Sequence, residues 1–151
     1  MSATLSSRAR THLVIDTTVW LSAAISDSGA PAALVQRALA QGIVIFSDAT
    51  FAELETRLWK SKFDRYTTLD GRRAILRGIK ASAVWATIPD AISAQKYCRD
   101  VDDDKFIHLA LAAAALWLIT GDQDLLVIDH ELPITIMSPA NALRTPHFLV
   151  E

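Results

Sequence analysis

The sequence predicts a single-domain α/β/α sandwich: a central, mostly parallel sheet of about five strands with helices packed on it. Three observations predict it. Short apolar runs recur along the 151 residues, helical patterns separate them, and 51% of residues are hydrophobic while only 21% are charged. Runs that are apolar throughout suit strands covered on both faces, and strands alternating with helices build parallel sheets. A chain of this length buries a real core. No repeat, low-complexity linker or domain boundary interrupts it, so residues 1–151 are expected to form one unit, with 1–11 a flexible N-terminal extension.

The first strand is expected at 12–16 (HLVID), followed by an early helix carrying Trp20 and Leu21. In the helical pattern over 31–41, Pro31 suits a first turn and Gly42 a stop. The second strand, 43–46 (IVIF), leads into a helix at 48–60 with Phe51, Leu54, Leu58 and Trp59 as its apolar stripe. A basic helix at 69–83 interleaves Arg72, Arg73, Arg77 and Lys80 with Leu69, Ile75, Leu76 and Ile79, and its charges read as a solvated face. A third strand follows at 84–88. The helix at 103–115 places Phe106, Ile107, Ala110, Leu111 and Ala114 on one face. Strands at 116–120 (LWLIT) and 134–137 (ITIM) complete the sheet.

Composition narrows the function. The formal net charge of −2 gives no global basic field, so any contact with nucleic acid must come from a local patch. The longest apolar stretch, LALAAAALWLI, is too short and too closely bounded by Asp103, Asp104, His108 and Asp122 to span a bilayer. The N-terminus lacks a signal-peptide pattern, and the lone Cys98 cannot form an internal disulfide, which fits a reducing cytoplasm. His12, His108, His130 and His147 show no zinc-ligand spacing.

Acidic residues carry the chemistry. Ligands of open parallel sheets bind outside the carboxyl ends of the strands. Asp16 ends the first strand and Asp122 follows the fourth, so parallel strands bring both to one edge. Helices that follow strands begin at that edge, which adds Asp103 and, a turn or two inside its helix, Glu53. Carboxylates gathered this way repel unless a divalent cation holds them, and Mg²⁺ and Mn²⁺ prefer such oxygen ligands. Local alternatives stand beside this reading. Asp16 and Asp122 also suit helix caps or turns, and Thr50 to Glu53 matches a capping box. The run Asp100, Asp102, Asp103 and Asp104 suits a helix N-terminus through the macrodipole alone. Periodicity puts Asp103 on the sheet-facing side with Phe106 and Ile107 and leaves Asp104 solvated near the rim.

With those residues in view, the chain resembles the PIN-domain ribonucleases, in particular the VapC-like toxin components of toxin–antitoxin pairs. VIDTTVWLSA is similar to the family's opening strand and first acid, FAELETRLWKSKFDRY to its glutamate helix and the basic-aromatic stretch behind it, and LPITIMSPANAL to its closing strand and short helix. The most specific match is CRDVDDDKFIHLALAAAALWLITGDQDLL, which resembles the third and fourth acidic segments combined. The resemblance implies catalytic acids at Asp16, Glu53, Asp103 and Asp122. Asp16, Asp103 and Asp122 would contact Mg²⁺ or Mn²⁺, and Glu53 would complete the shell or orient water. Thr18, Asp100, Thr120 and Asp124 would support them. It further implies hydrolysis of RNA phosphodiester bonds, an antitoxin partner and a homodimer. Thr18 departs from the Asn of many members, and Val101 from a family Pro.

For RNA, the resemblance leaves a surface to be found. Arg57, Lys60, Lys62 and Arg65 interleave with Trp59, Phe63 and Tyr66, a mixture that contacts phosphates and stacks bases. The same aromatics equally suit core closure with solvated charges. Trp20, Leu21, Leu34, Val35 and Leu39 suit either association or core. A phosphatase of the haloacid dehalogenase type requires a second Asp where Thr18 stands, and a non-catalytic binding module has no need of four intact acids.

Overall fold

The computed structural model describes residues 11–128 and 132–150. Five strands, β1 (His12–Ile15), β2 (Ile43–Phe46), β3 (Val84–Trp85), β4 (Trp117–Ile119) and β5 (Thr135–Met137), form one sheet in the order β3-β2-β1-β4-β5. All pairings are parallel: His12 lies opposite Ile43, Leu13 opposite Trp117, Ile45 opposite Val84 and Trp117 opposite Thr135. The chain winds outward from β1 through β2 to β3, then returns to lay β4 on the other side of β1. The order therefore reverses between β1 and β4, which is where an open sheet of this kind leaves a crevice.

The helices are α1 (Thr17–Ile25), α2 (Ala30–Gln41), α3 (Asp48–Leu58), α4 (Leu69–Ser82), α5 (Asp90–Ser93), α6 (Asp104–Ala112), α7 (Gln123–Leu126) and α8 (Pro139–Arg144). Strand alternation sorts the apolar residues into two cores. Leu13, Ile15, Phe46, Trp117 and Ile119 meet α1, α2, α3 and α4 on one face through Trp20, Leu34, Leu54 and Leu76. Val14, Ile45 and Leu118 meet α6 on the other through Phe106, Ile107 and Ala110. The sandwich and its five parallel strands are those the alternation of apolar runs predicts.

Boundaries and some burials differ from expectation. The third strand covers 84–85 rather than 84–88, because β3 is an edge strand bonded only to β2, and Val84 and Trp85 stay exposed. The helix expected at 103–115 is preceded by a 3₁₀ turn, Val101–Asp103, and stops at Ala112, where Ala114 turns left-handed with φ 52°. Arg72, expected on a solvated face, is 2% exposed, because Arg72, Leu76 and Ile79 share one helical stripe. Its guanidinium meets Asp64 at 2.8 Å and lies 5.7 Å from the Trp59 ring centre. Arg73, Arg77 and Lys80 are exposed as expected. Trp20, Leu21 and Leu34 are buried, so the core accounts for them; Leu39 remains exposed. Of the expected extension, residues 1–10 lie outside the described residues, and Thr11 is buried. Among the described residues no helix is long and apolar enough to cross a membrane.

Candidate metal centre

Asp16 follows β1, and its backbone N–H donates to Ile119 of β4 at 3.0 Å, which fixes it beside the neighbouring strand. It is the N-cap of α1: Oδ1 accepts from the Val19 N–H at 3.0 Å and from the Thr18 hydroxyl at 2.8 Å. Oδ2 accepts from the Thr120 hydroxyl. The cap reading and the site reading thus hold together in one carboxylate that is only 2% exposed. Burial pushes its pKa up, the three donors pull it back, and the charge of Asp122 adds to the rise.

Thr120, fully buried at the end of β4, joins the two strand-end acids. Its hydroxyl donates to Asp16 and accepts from the Asp122 N–H at 2.9 Å. Asp122 caps α7, and its Oδ1 accepts from the Asp124 N–H at 2.9 Å. Across the crevice, Asp100 shapes the 3₁₀ turn by accepting from the Asp102 N–H at 3.0 Å, and Asp103 ends that turn. Asp103, Asp122 and Asp124 each offer a half-buried oxygen, all within 4.8 Å of one another. Burial pushes the Asp103 pKa up to about 6, aided by the charges of Asp122 and Asp100, a hydrogen bond to Asp122 and the charge of Asp102. Like charges this close cannot all ionise freely. The close group contains Asp124, expected only in support, while Asp16 stands beside it with both oxygens already accepting hydrogen bonds.

Glu53 lies in α3, and the capping box expected between Thr50 and Glu53 does not form. Ser47 and Thr50 make it instead, and the Glu53 side chain takes no part in the cap. Its carboxylate, 12% exposed, bonds the Lys105 ammonium through Oε2 and lies 3.8 Å from Arg57 through Oε1. Lys105 also meets Asp102 at 3.2 Å. Burial lowers the Lys105 pKa, but Glu53 and then Asp102 outweigh it and leave it raised. Sequence reasoning passed over Lys105. The signal was there: a cation in the first turn of a helix opposes the macrodipole and needs acidic partners to hold it.

Asp104 reverses the expectation of a solvated rim. It is 4% exposed, and its Oδ1 accepts from the backbone N–H groups of Tyr97 (3.1 Å) and Cys98 (2.6 Å), tying down the loop before α6. The 3₁₀ turn shifts the helical phase by which Asp104 was placed.

The basic run divides. Arg57, Lys60 and Lys62 line a groove of about 550 Å³ with Thr18, Phe63 and Tyr66. Thr18 is the residue that bonds Asp16, so the groove opens beside the acids. Arg65 does not line it; its guanidinium lies 5.8 Å from the Tyr66 ring centre. Tyr66 is 52% exposed, whereas Phe63 is buried.

Fold and site first define a class: a parallel α/β domain whose carboxylates meet at the point where strand order reverses. The chain belongs to the PIN domain family, whose sequence profile matches residues 12–124. It is 32% identical over 120 residues to the uncharacterized protein MJ1680 of Methanocaldococcus jannaschii, covering 79% of this chain and 76% of that one. Its fold is similar to a chain of the crystal structure of VapBC2 from Rickettsia felis bound to a DNA fragment from its promoter. That likeness has a TM-score of 0.61 and 10% identity, over 84% of this chain and 98% of the other.

Proposed function

We propose that this chain is a divalent-metal-dependent endoribonuclease and the toxin of a toxin–antitoxin pair. One observation carries the reading: three half-buried carboxylates converge within 4.8 Å, and burial, with the charges of Asp122 and Asp100, raises the Asp103 pKa to about 6. An all-oxygen donor set under such repulsion fits Mg²⁺ or Mn²⁺. Asp103, Asp122 and Asp124 would hold the ion, with Asp16 adding charge and, through Thr120, fixing Asp122. When bound, a divalent ion polarises a phosphoryl oxygen and lowers the pKa of a water nucleophile. Around it, Glu53 accepts a hydrogen bond from Lys105 and is placed to orient water. Arg57, Lys60 and Lys62 attract the phosphate backbone along the groove, and the exposed Tyr66 ring offers a stacking surface to an unpaired base.

The toxin role draws support from family membership and from the VapBC2 likeness. An antitoxin segment across the acidic site, a homodimer and a cytoplasmic location are parts of this proposal. Incubation with a labelled single-stranded RNA tests it. Cleavage is expected with Mg²⁺ or Mn²⁺, is expected to stop with a chelator, and is expected to fall at least about 100-fold in Asp103→Asn and Asp122→Asn. Cleavage that persists in both variants refutes the assignment. An adjacent small reading frame whose product co-purifies with the chain tests the toxin role.

A further inference from the structure

Within the site, the acids fall into two neighbourhoods with different counter-charges. Asp103, Asp122 and Asp124 approach one another and, among the described residues, no ion pair joins any of the three to a cation, whereas both oxygens of Glu53 face one: Lys105 on Oε2 and Arg57, at 3.8 Å, on Oε1. Lys105 is 19% exposed and reaches Glu53 across the gap between α6 and α3 while also bonding Asp102 at 3.2 Å. Its place is unusual. It stands in the first turn of α6, directly after Asp103 and Asp104, where the helix N-terminus disfavours positive charge. Acidic partners on two elements compensate for that position.

Nuclease sites that use two ions hold them about 3.5–4 Å apart, as a clamp on the attacking and leaving oxygens, so a second ion here would call on the Glu53 carboxylate. Here an ammonium already occupies the Glu53 side. We propose that Lys105 is a positioning residue that supplies the positive charge at Glu53, so that the site takes a single divalent ion, on Asp103, Asp122 and Asp124. The inference rests on the metal-dependent reading above and goes beyond it in fixing the ion count and assigning Lys105. A second ion at Glu53 would have to displace a contacting ammonium and face its repulsion. Glu53 then acts as an acceptor held in place by Lys105, rather than as an ion ligand. Arg57, longer in contact and more exposed, is left to the phosphate groove.

Mn²⁺ titrations of the full chain without RNA, followed by calorimetry and by the loss of free-Mn²⁺ electron paramagnetic resonance, test this. The parent is expected to bind one ion, lost in Asp122→Asn. Lys105→Met is expected to admit a second, weaker ion, and Lys105→Met combined with Glu53→Gln to return to one. Glu53→Gln alone, which leaves Lys105 in place, is expected to keep the affinity for the first ion; a drop of about tenfold or more makes Glu53 a ligand and overturns the proposal. Two ions in the parent, or one in both parent and Lys105→Met, overturn it while the nuclease reading stands. A parent that binds no Mn²⁺ overturns both.

Discussion

Thr120→Val removes one hydroxyl and almost no volume, yet it strips two partners at once. Asp16 Oδ2 loses its donor in a site that is 2% exposed, and the Asp122 N–H loses its acceptor. A hydrogen bond to a charged group contributes about 1.5–3 kcal/mol and a neutral one about 0.5–1.5 kcal/mol. The substitution is therefore expected to cost roughly 2–4 kcal/mol, or about 5–12 °C in Tm for a chain of this size. The loss depends on pH, and its sign follows from Asp16. Burial holds its folded pKa above the ordinary value, so its contribution is full at low pH and is lost as pH rises through the folded pKa. Removing the Thr120 donor raises that pKa further, so parent and variant diverge as pH increases. Urea unfolding in EDTA at about pH 5 and about pH 8 measures this, with the larger gap expected at the higher pH. Thr120→Ser keeps the hydroxyl and is expected to lose only about 1 kcal/mol, the value of a buried methyl group. A pH-independent loss, or one below about 0.5 kcal/mol, refutes the claim that Thr120 joins the two acids.

Other substitutions separate electrostatics from packing. Asp103→Asn removes a carboxylate whose pKa is pushed up to about 6; its contribution to the parent's stability is full in acid and is lost as pH rises through that value, because ionising Asp103 in the folded chain is unfavourable. The variant is expected to melt above the parent in EDTA at neutral pH, to match it in acid, and to show no Mn²⁺-induced rise in Tm. Ala114→Gly relieves the left-handed φ of 52° and is expected to add about 1 kcal/mol, seen as a Tm increase of about 2–4 °C. Arg72→Ala opens the buried space beside Trp59 and is expected to cost about 3 kcal/mol in urea unfolding, whereas Arg72→Met keeps the packing without the buried charge and is expected to be close to neutral.

Strand-end acids were legible because uniformly apolar runs fix where strands stop, and parallel pairing of β1 with β4 then sets Asp16 beside Thr120 and Asp122. Single-helix periodicity carried less. It mistook Asp104 because the 3₁₀ turn changes the phase just ahead of α6, and it mistook Arg72 although the residue shares its stripe with Leu76 and Ile79. Capping pattern misled at Glu53: Ser47 precedes Thr50 by three residues and outcompeted it as the cap. Lys105 was legible in principle, as a cation placed against the dipole, but its partner Glu53 lies on another element and local sequence does not reveal it.

The separation of Asp16 from the close group follows from hydrogen-bond supply. A carboxylate that accepts from a backbone N–H and two hydroxyls, and is shut away from solvent, is held rigidly but has few lone pairs left to offer an ion. Asp103, Asp122 and Asp124 are half exposed. Asp122 and Asp124 are joined by a backbone donor, and Asp103 is crowded by like charge. Mg²⁺ keeps several of its waters when it binds, so it needs carboxylates at a mouth that solvent reaches, backed by charge that does not move. Burying Asp16 behind Thr120 and leaving the other three at the rim would meet both needs of the proposed ion, with one strand end on each side of the crevice.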